Sequence, residues 1–138
     1  MIAKDIYHYN VRTVLEKDGW IITDAPLTLQ FGSRGVFVDL GAKKLLAAER
    51  EGQKIAVEIK SFVGKSPVKD WENAIGQFTL YLKILSKREP DRTLYLAITE
   101  EIYASFFAED IVQVVLEDGV IKIIVIDPIQ EVVTRWIN

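Results

Sequence analysis

Lys54-Ile55-Ala56-Val57-Glu58-Ile59-Lys60-Ser61-Phe62 is the stretch on which the reading of this chain turns. Side chains on a strand alternate faces with period two, so Ile55, Val57 and Ile59 point into one layer, and Ala56, Glu58 and Lys60 share the other. A carboxylate and an ammonium therefore stand side by side on a strand whose opposite face is apolar. On an edge strand such a pair is a solvated outer face; on a core strand it is a buried site. The neighbouring segments decide between the two.

Leu45 to Arg50 precedes the stretch across a Glu51-Gly52 turn, and the two runs read as a hairpin. Beyond it, Ser66-Pro67 is an N-cap followed by proline at the first helical position, with Asp70 and Glu72 where the helix dipole favours acids. The spacing predicts a long helix to about Lys87, with Val68, Trp71, Ile75, Phe78, Leu82 and Leu85 as its apolar stripe. Thr93 to Ile98 is a nearly continuous apolar run, the pattern of a strand buried on both faces.

Working outward, Lys4 to Asp18 has helical periodicity through Ala3, Tyr7, Val11, Val14 and Leu15, with Gly19 placed to end it. Trp20 to Thr23 reads as a strand. Leu27 to Phe31 and Val36 to Leu40 flank a Gly32-Ser33-Arg34-Gly35 turn, so Asp39 ends a strand. A brief helix is expected over Glu101 to Phe107. Ile111 to Leu116 and Val120 to Ile126 surround Asp118-Gly119 as a second hairpin, and Ile129, Val132, Val133 and Trp136 suit a last helical turn or two. The whole is an α/β sandwich with a mixed sheet.

With 138 residues, 49% of them hydrophobic and 27% charged, the chain reads as one globular domain spanning 1–138. It has no cysteine and one histidine, which excludes disulfides, thiolate metal sites and multi-histidine zinc centres. Its apolar runs are too short to span a bilayer and Met1 to Asn10 lacks a signal-peptide profile, so a soluble, cytoplasmic protein without membrane attachment is expected. Net charge is −3, yet Arg34 to Arg92 carries 12 Lys/Arg against 8 Asp/Glu, leaving 5 basic and 12 acidic residues elsewhere. One basic region lies on an acidic body, which suits a DNA partner there.

Asp39 at a strand end, Glu58 and Lys60 on a strand face and Gln77 on the next helix form a chemical set. Gln77 falls about 120° from the centre of the apolar stripe, a margin from which it can lean toward the sheet. Converging carboxylates from Asp39 and Glu58, with the backbone carbonyl of Ile59, make an all-oxygen site for Mg²⁺ or Mn²⁺. Lys60 would position a metal-activated water and stabilise the charged transition state of phosphoryl chemistry, and Gln77 would orient substrate or lysine. Lys43, Lys44, Lys54, Lys65 and Lys69 are the candidate DNA phosphate contacts. His8 sits on the first helix's margin, from which it reaches the site or caps the core. Glu16 faces solvent and is not assigned as a ligand. Trp20, Trp71 and Trp136 suit core packing better than base stacking.

Lys17-Asp18-Gly19-Trp20, Val38-Asp39-Leu40-Gly41-Ala42, Ala47-Ala48-Glu49-Arg50, Ile55 to Phe62, Gly76-Gln77-Phe78, Leu80-Tyr81 and Asp91 to Ala97, taken in this order, resemble the XisH family, the fdxN element excision controlling factors of cyanobacteria. The resemblance runs over nearly the whole chain. It implies a branch of the PD-(D/E)xK superfamily, with a restriction-endonuclease-like mixed β-sheet flanked by helices. Its nuclease signature falls on Asp39, Glu58 and Lys60, with Gln77 matching the helical glutamine of resolvase-like members; Val38 replaces the usual proline. It also implies a role in excising a DNA element during heterocyst differentiation, with a XisI-type companion and a site-specific recombinase as partners and a homodimer by analogy. Either a metal-dependent endonuclease or a non-catalytic accessory protein on a nuclease scaffold answers to it.

Overall fold

The cap read at Ser66 forms as expected: its hydroxyl accepts the Lys69 N–H at 3.2 Å, and a 22-residue helix follows from Pro67. That helix is the centre of the architecture. The structure, a computed structural model, describes residues 8–24, 27, 30–31, 36–37 and 45–138. In chain order the elements are α1 (His8–Lys17), β1 (Ile21–Asp24), β2 (Gln30–Phe31), β3 (Val36–Phe37), β4 (Leu45–Arg50), β5 (Gln53–Ile59) and α2 (Pro67–Arg88). Then come β6 (Arg92–Thr99), α3 (Glu100–Ala104), a 3-10 turn (Phe106–Ala108), α4 (Asp110–Leu116), β7 (Lys122–Asp127) and β8 (Val132–Ile137).

A six-stranded sheet runs in the order β1-β4-β5-β6-β7-β8, and β2 pairs with β3 in a separate two-stranded sheet. β5, β6 and β7 are parallel, while β1, β4 and β8 join antiparallel, so the sheet is mixed as expected. One face packs on α2, α3 and α4 through Ala47, Ala56, Leu94, Leu96, Ile98, Ile123 and Val125. The other packs on α1 through Ile55, Val57, Ile59, Ala97, Ile124 and Ile126 against Val11, Val14 and Leu15. β6 contributes to both layers, which is why its sequence is continuously apolar. Among the described residues no helix is long and apolar enough to cross a membrane.

Two sequence expectations fail at the C-terminal end. Ile111 to Leu116 is not a hairpin strand but α4, because β6 and β7 run parallel and a parallel crossover needs intervening structure to return the chain. Val132 to Ile137 is not helical but the edge strand β8, paired antiparallel with β7. A third difference concerns α2. Its buried face is Trp71, Ala74, Phe78, Tyr81, Ile84 and Leu85, with Val68 exposed and Ile75 and Leu82 only partly covered. That face is rotated about 65° from the stripe read in sequence, toward Gln77.

The β4–β5 hairpin closes through Glu51 and Gly52, at φ of 50° and 82°. Two consecutive left-handed residues match the twist of the flanking strands, and asparagine tolerates the first position better than glutamate. Glu51→Asn should stabilise the protein by about 0.5–1 kcal/mol, read as a higher urea midpoint at unchanged slope.

Candidate functional site

β5 is the third of six strands, hydrogen-bonded on both sides, and Glu58 stands in register with Leu45 of β4 and Leu96 of β6. The edge-strand reading is therefore excluded. Glu58 is 1% exposed, with both carboxylate oxygens buried, and Lys60 is 6% exposed. Lys60 lies just past the strand, and its N–H donates to the Ala97 carbonyl at 3.2 Å, carrying the ladder one residue further. Ser61 beside it is also buried.

Taking a carboxylate and an ammonium out of water costs several kcal/mol each before compensation. Among the described residues the other buried polar side chains are Arg92 and Thr99. Arg92 donates to the Ile55 carbonyl at 2.9 Å and to Glu89 at 2.8 Å, tying the start of β6 to β5 and to the end of α2. Thr99 caps α3 by accepting from the Ile102 N–H at 3.4 Å. Among the described residues Glu58, Lys60 and Ser61 are the remaining buried polar ones, and they fall within four positions at the carboxyl end of β5. In open α/β sheets that end is where ligands bind.

The β5–α2–β6 connection sets the start of α2 over this end of the sheet. With α2 rotated as described, Gln77 is half-buried rather than peripheral. Its Oε1 is fully buried and accepts no hydrogen bond from any described residue. One turn on, Tyr81 is wholly buried with its hydroxyl oxygen in the interior. Tyr81 carries no role in the sequence reading; the available signal is its i, i+4 relation to Gln77. Ala47 and Ala56, directly paired across β4 and β5 on the α2 side, leave the room that large side chains on α2 fill.

The Glu58 carboxylate oxygens and Gln77 Oε1 are buried oxygens of the kinds that hard cations accept. Among the described residues no three His, Cys, Asp or Glu side chains come together as a metal cluster. Asp39, Lys43 and Lys44 lie outside the described residues, as does the side chain of His8. Glu16 is exposed, as its place on the helix predicts, and pairs with Arg12 at 3.7 Å.

Lys65 and Lys69 are exposed around the start of α2, on the Glu58 end of the sheet. Lys54 is exposed at the opposite end of β5, about 20 Å along the strand from Lys60. There it borders a cavity of about 400 Å³ lined by Trp20, Arg50, Asp91, Tyr95 and Trp136. The Arg50 guanidinium lies 4.4 Å from the centre of the Trp20 ring, and Trp136 packs edge-on to Tyr95 at 5.2 Å. Burial pushes the Tyr95 hydroxyl above its ordinary value. Trp20 and Trp71 are core residues, as their sequence setting suggested.

The family model described as XisH protein matches residues 1–134. Two solved structures are similar over 97% of this chain, each with a TM-score of 0.88. One is an XisH family protein from Nostoc punctiforme PCC 73102, 44% identical and covered over its full length. The other is a fdxN element excision controlling factor protein from Anabaena variabilis, 47% identical and covered over 99% of its length. A search of the curated proteins finds no match.

Proposed function

This chain belongs to the XisH family, and from that premise we propose that it controls excision of a DNA element through a metal-dependent, endonuclease-like site on Glu58, Lys60 and Gln77. The observation that carries the reading is the burial of Glu58 and Lys60 at the carboxyl end of a central strand, facing α2. A strand-borne acid, a lysine two residues on and a helical glutamine match the plan of the PD-(D/E)xK, restriction-endonuclease-like superfamily, with Asp39 as the second acid. Mg²⁺ or Mn²⁺, when bound, would acidify a water and neutralise phosphate charge. Glu58, the Ile59 carbonyl and Asp39 would hold it. Lys60 supplies a compact cation for the charge that builds on the phosphorus oxygens, and the amide of Gln77 orients substrate or lysine.

Incubation with linear and branched DNA in Mg²⁺ or Mn²⁺ tests this. Cleavage by the wild type should fall by at least about 10²-fold in Lys60→Ala. Equal cleavage by both proteins would sink the proposal.

A second reading is favoured by the exposed apolar side chains Ile111 and Val114 on α4, which suit a protein contact. In it the chain is a non-catalytic accessory factor acting through a XisI-type companion, a site-specific recombinase or a second copy of itself. Co-expression and size-exclusion chromatography separate the two readings: a stable complex together with no cleavage selects the second.

A further inference from the structure

We infer that Val63 is an apolar wedge that recognises DNA whose base stack is already interrupted; this rests on the proposed phosphodiester site and specifies its substrate class. The feature begins three residues after Lys60. Phe62 has φ of 56°, a left-handed conformation that a bulky L residue adopts only when its surroundings impose it. What imposes it is an aromatic clamp, for its ring is buried 6.4 Å from Trp71, 5.8 Å from Phe106 and 5.4 Å edge-on from Phe107.

On the far side, the Gly64 N–H donates to Asp70 Oδ2 at 3.2 Å. A Cβ on Gly64 would lie 2.8 Å from the same oxygen, so a larger residue there would push the Asp70 carboxylate aside. Between the buried Phe62 ring and the Gly64–Asp70 tie stands Val63, 63% exposed.

Exposure of one valine is ordinary in itself. What distinguishes Val63 from exposed Ile21 or Ile129 is the strained, doubly anchored backbone that presents it and its place beside the site. Exposed Lys65 and Lys69 follow within six residues, so an apolar tip and two cations share the exposed loop–helix junction. That pairing is the chemistry of a wedge with phosphate contacts.

Side-chain length then selects the substrate. Wedges that open an intact base step reach far between the bases, and valine ends at two methyl groups. It cannot displace a stacked neighbour, but it can cover a base face left open at a flap or a junction. The class of DNA it fits is therefore duplex with a break in stacking.

Fluorescence anisotropy in EDTA, where cleavage is suppressed, reads this directly on a linear duplex, the same duplex carrying a flap, and a branched junction. Wild type should bind the flap and junction about tenfold more tightly than the linear duplex. Val63→Ser should lose that margin with linear binding and thermal midpoint unchanged, and Val63→Leu should keep it. Lys65→Ala with Lys69→Ala should weaken all three DNAs alike. Retention of the margin by Val63→Ser, or its absence from the wild type, overturns the wedge. If the wild type still cuts DNA and Lys60→Ala does not, only the wedge falls; if the wild type neither binds nor cuts DNA, the functional proposal falls with it. A wild type that self-associates where Val63→Ser does not, with the DNA margin unmoved, assigns the loop to a protein contact and also overturns the inference.

Discussion

The double variant Glu58→Gln/Lys60→Met should be at least as stable as the wild type while losing DNA cleavage by about 10²-fold or more. Both side chains are almost completely buried at the end of a central strand whose other buried positions, Ile55, Ala56, Val57 and Ile59, are apolar. Holding their charges away from water works against folding, and the two substitutions remove both charges together at similar volume, so neither is left buried without compensation. A sequence shaped for stability alone would put neutral residues there. Thermal unfolding and cleavage measured on the same preparation make the comparison. A fall in midpoint of more than about 5 °C would instead make the two charges part of what holds the fold together and would remove the main support for a functional site.

Trp71→Ala should cost about 3–5 kcal/mol and lower the thermal midpoint by roughly 10–20 °C. Trp71 is 1% exposed, packs against Phe62 and edge-on to Phe107 at 5.2 Å, and donates from Nε1 to the Ile111 carbonyl at 3.3 Å. Alanine opens a cavity between α2 and α4 and leaves that carbonyl without its donor. The loss reaches the site as well, since the ring of Phe62 rests on Trp71 and Phe62 sets the exit of the chain from β5. Activity should therefore fall in Trp71→Ala even at temperatures where it is folded, with Trp71→Phe intermediate in both respects. Calorimetry and cleavage assays run below the midpoint check this; full activity in a destabilised Trp71→Ala would show that the aromatic cluster supports the fold without shaping the site.

What was legible in the sequence was governed by local rules. Alternation across Ile55 to Lys60 assigned each residue to its layer, and the structure puts Ile55, Val57 and Ile59 against α1 and Ala56 on the α2 side. Ser66-Pro67 marked the start of α2, and Glu51-Gly52 the β4–β5 turn. The errors arose where local signals are shared by two structures. Ile111 to Leu116 is rich in β-branched residues and precedes Asp118-Gly119, which suits a hairpin as well as a helix end; Gly119, at φ of 71°, donates its N–H to the Leu116 carbonyl and closes α4. In β8 a register shift at Val125/Ile126 puts Val133 and Trp136 on the same side of the sheet, which breaks the period of two and imitates a helical spacing.

By itself the sequence determined the family, the mixed α/β class and the faces of β5, because side-chain period, caps and motif order are properties of the chain. Whether Glu58 and Lys60 were surface decoration or interior groups was beyond it, since burial depends on which strands flank β5 and on which helix covers it. The tertiary structure decided that: β4 and β6 take both edges of β5, and α2, turned toward Gln77 by the packing of Ala74 and Tyr81, covers the face that carries the two charges.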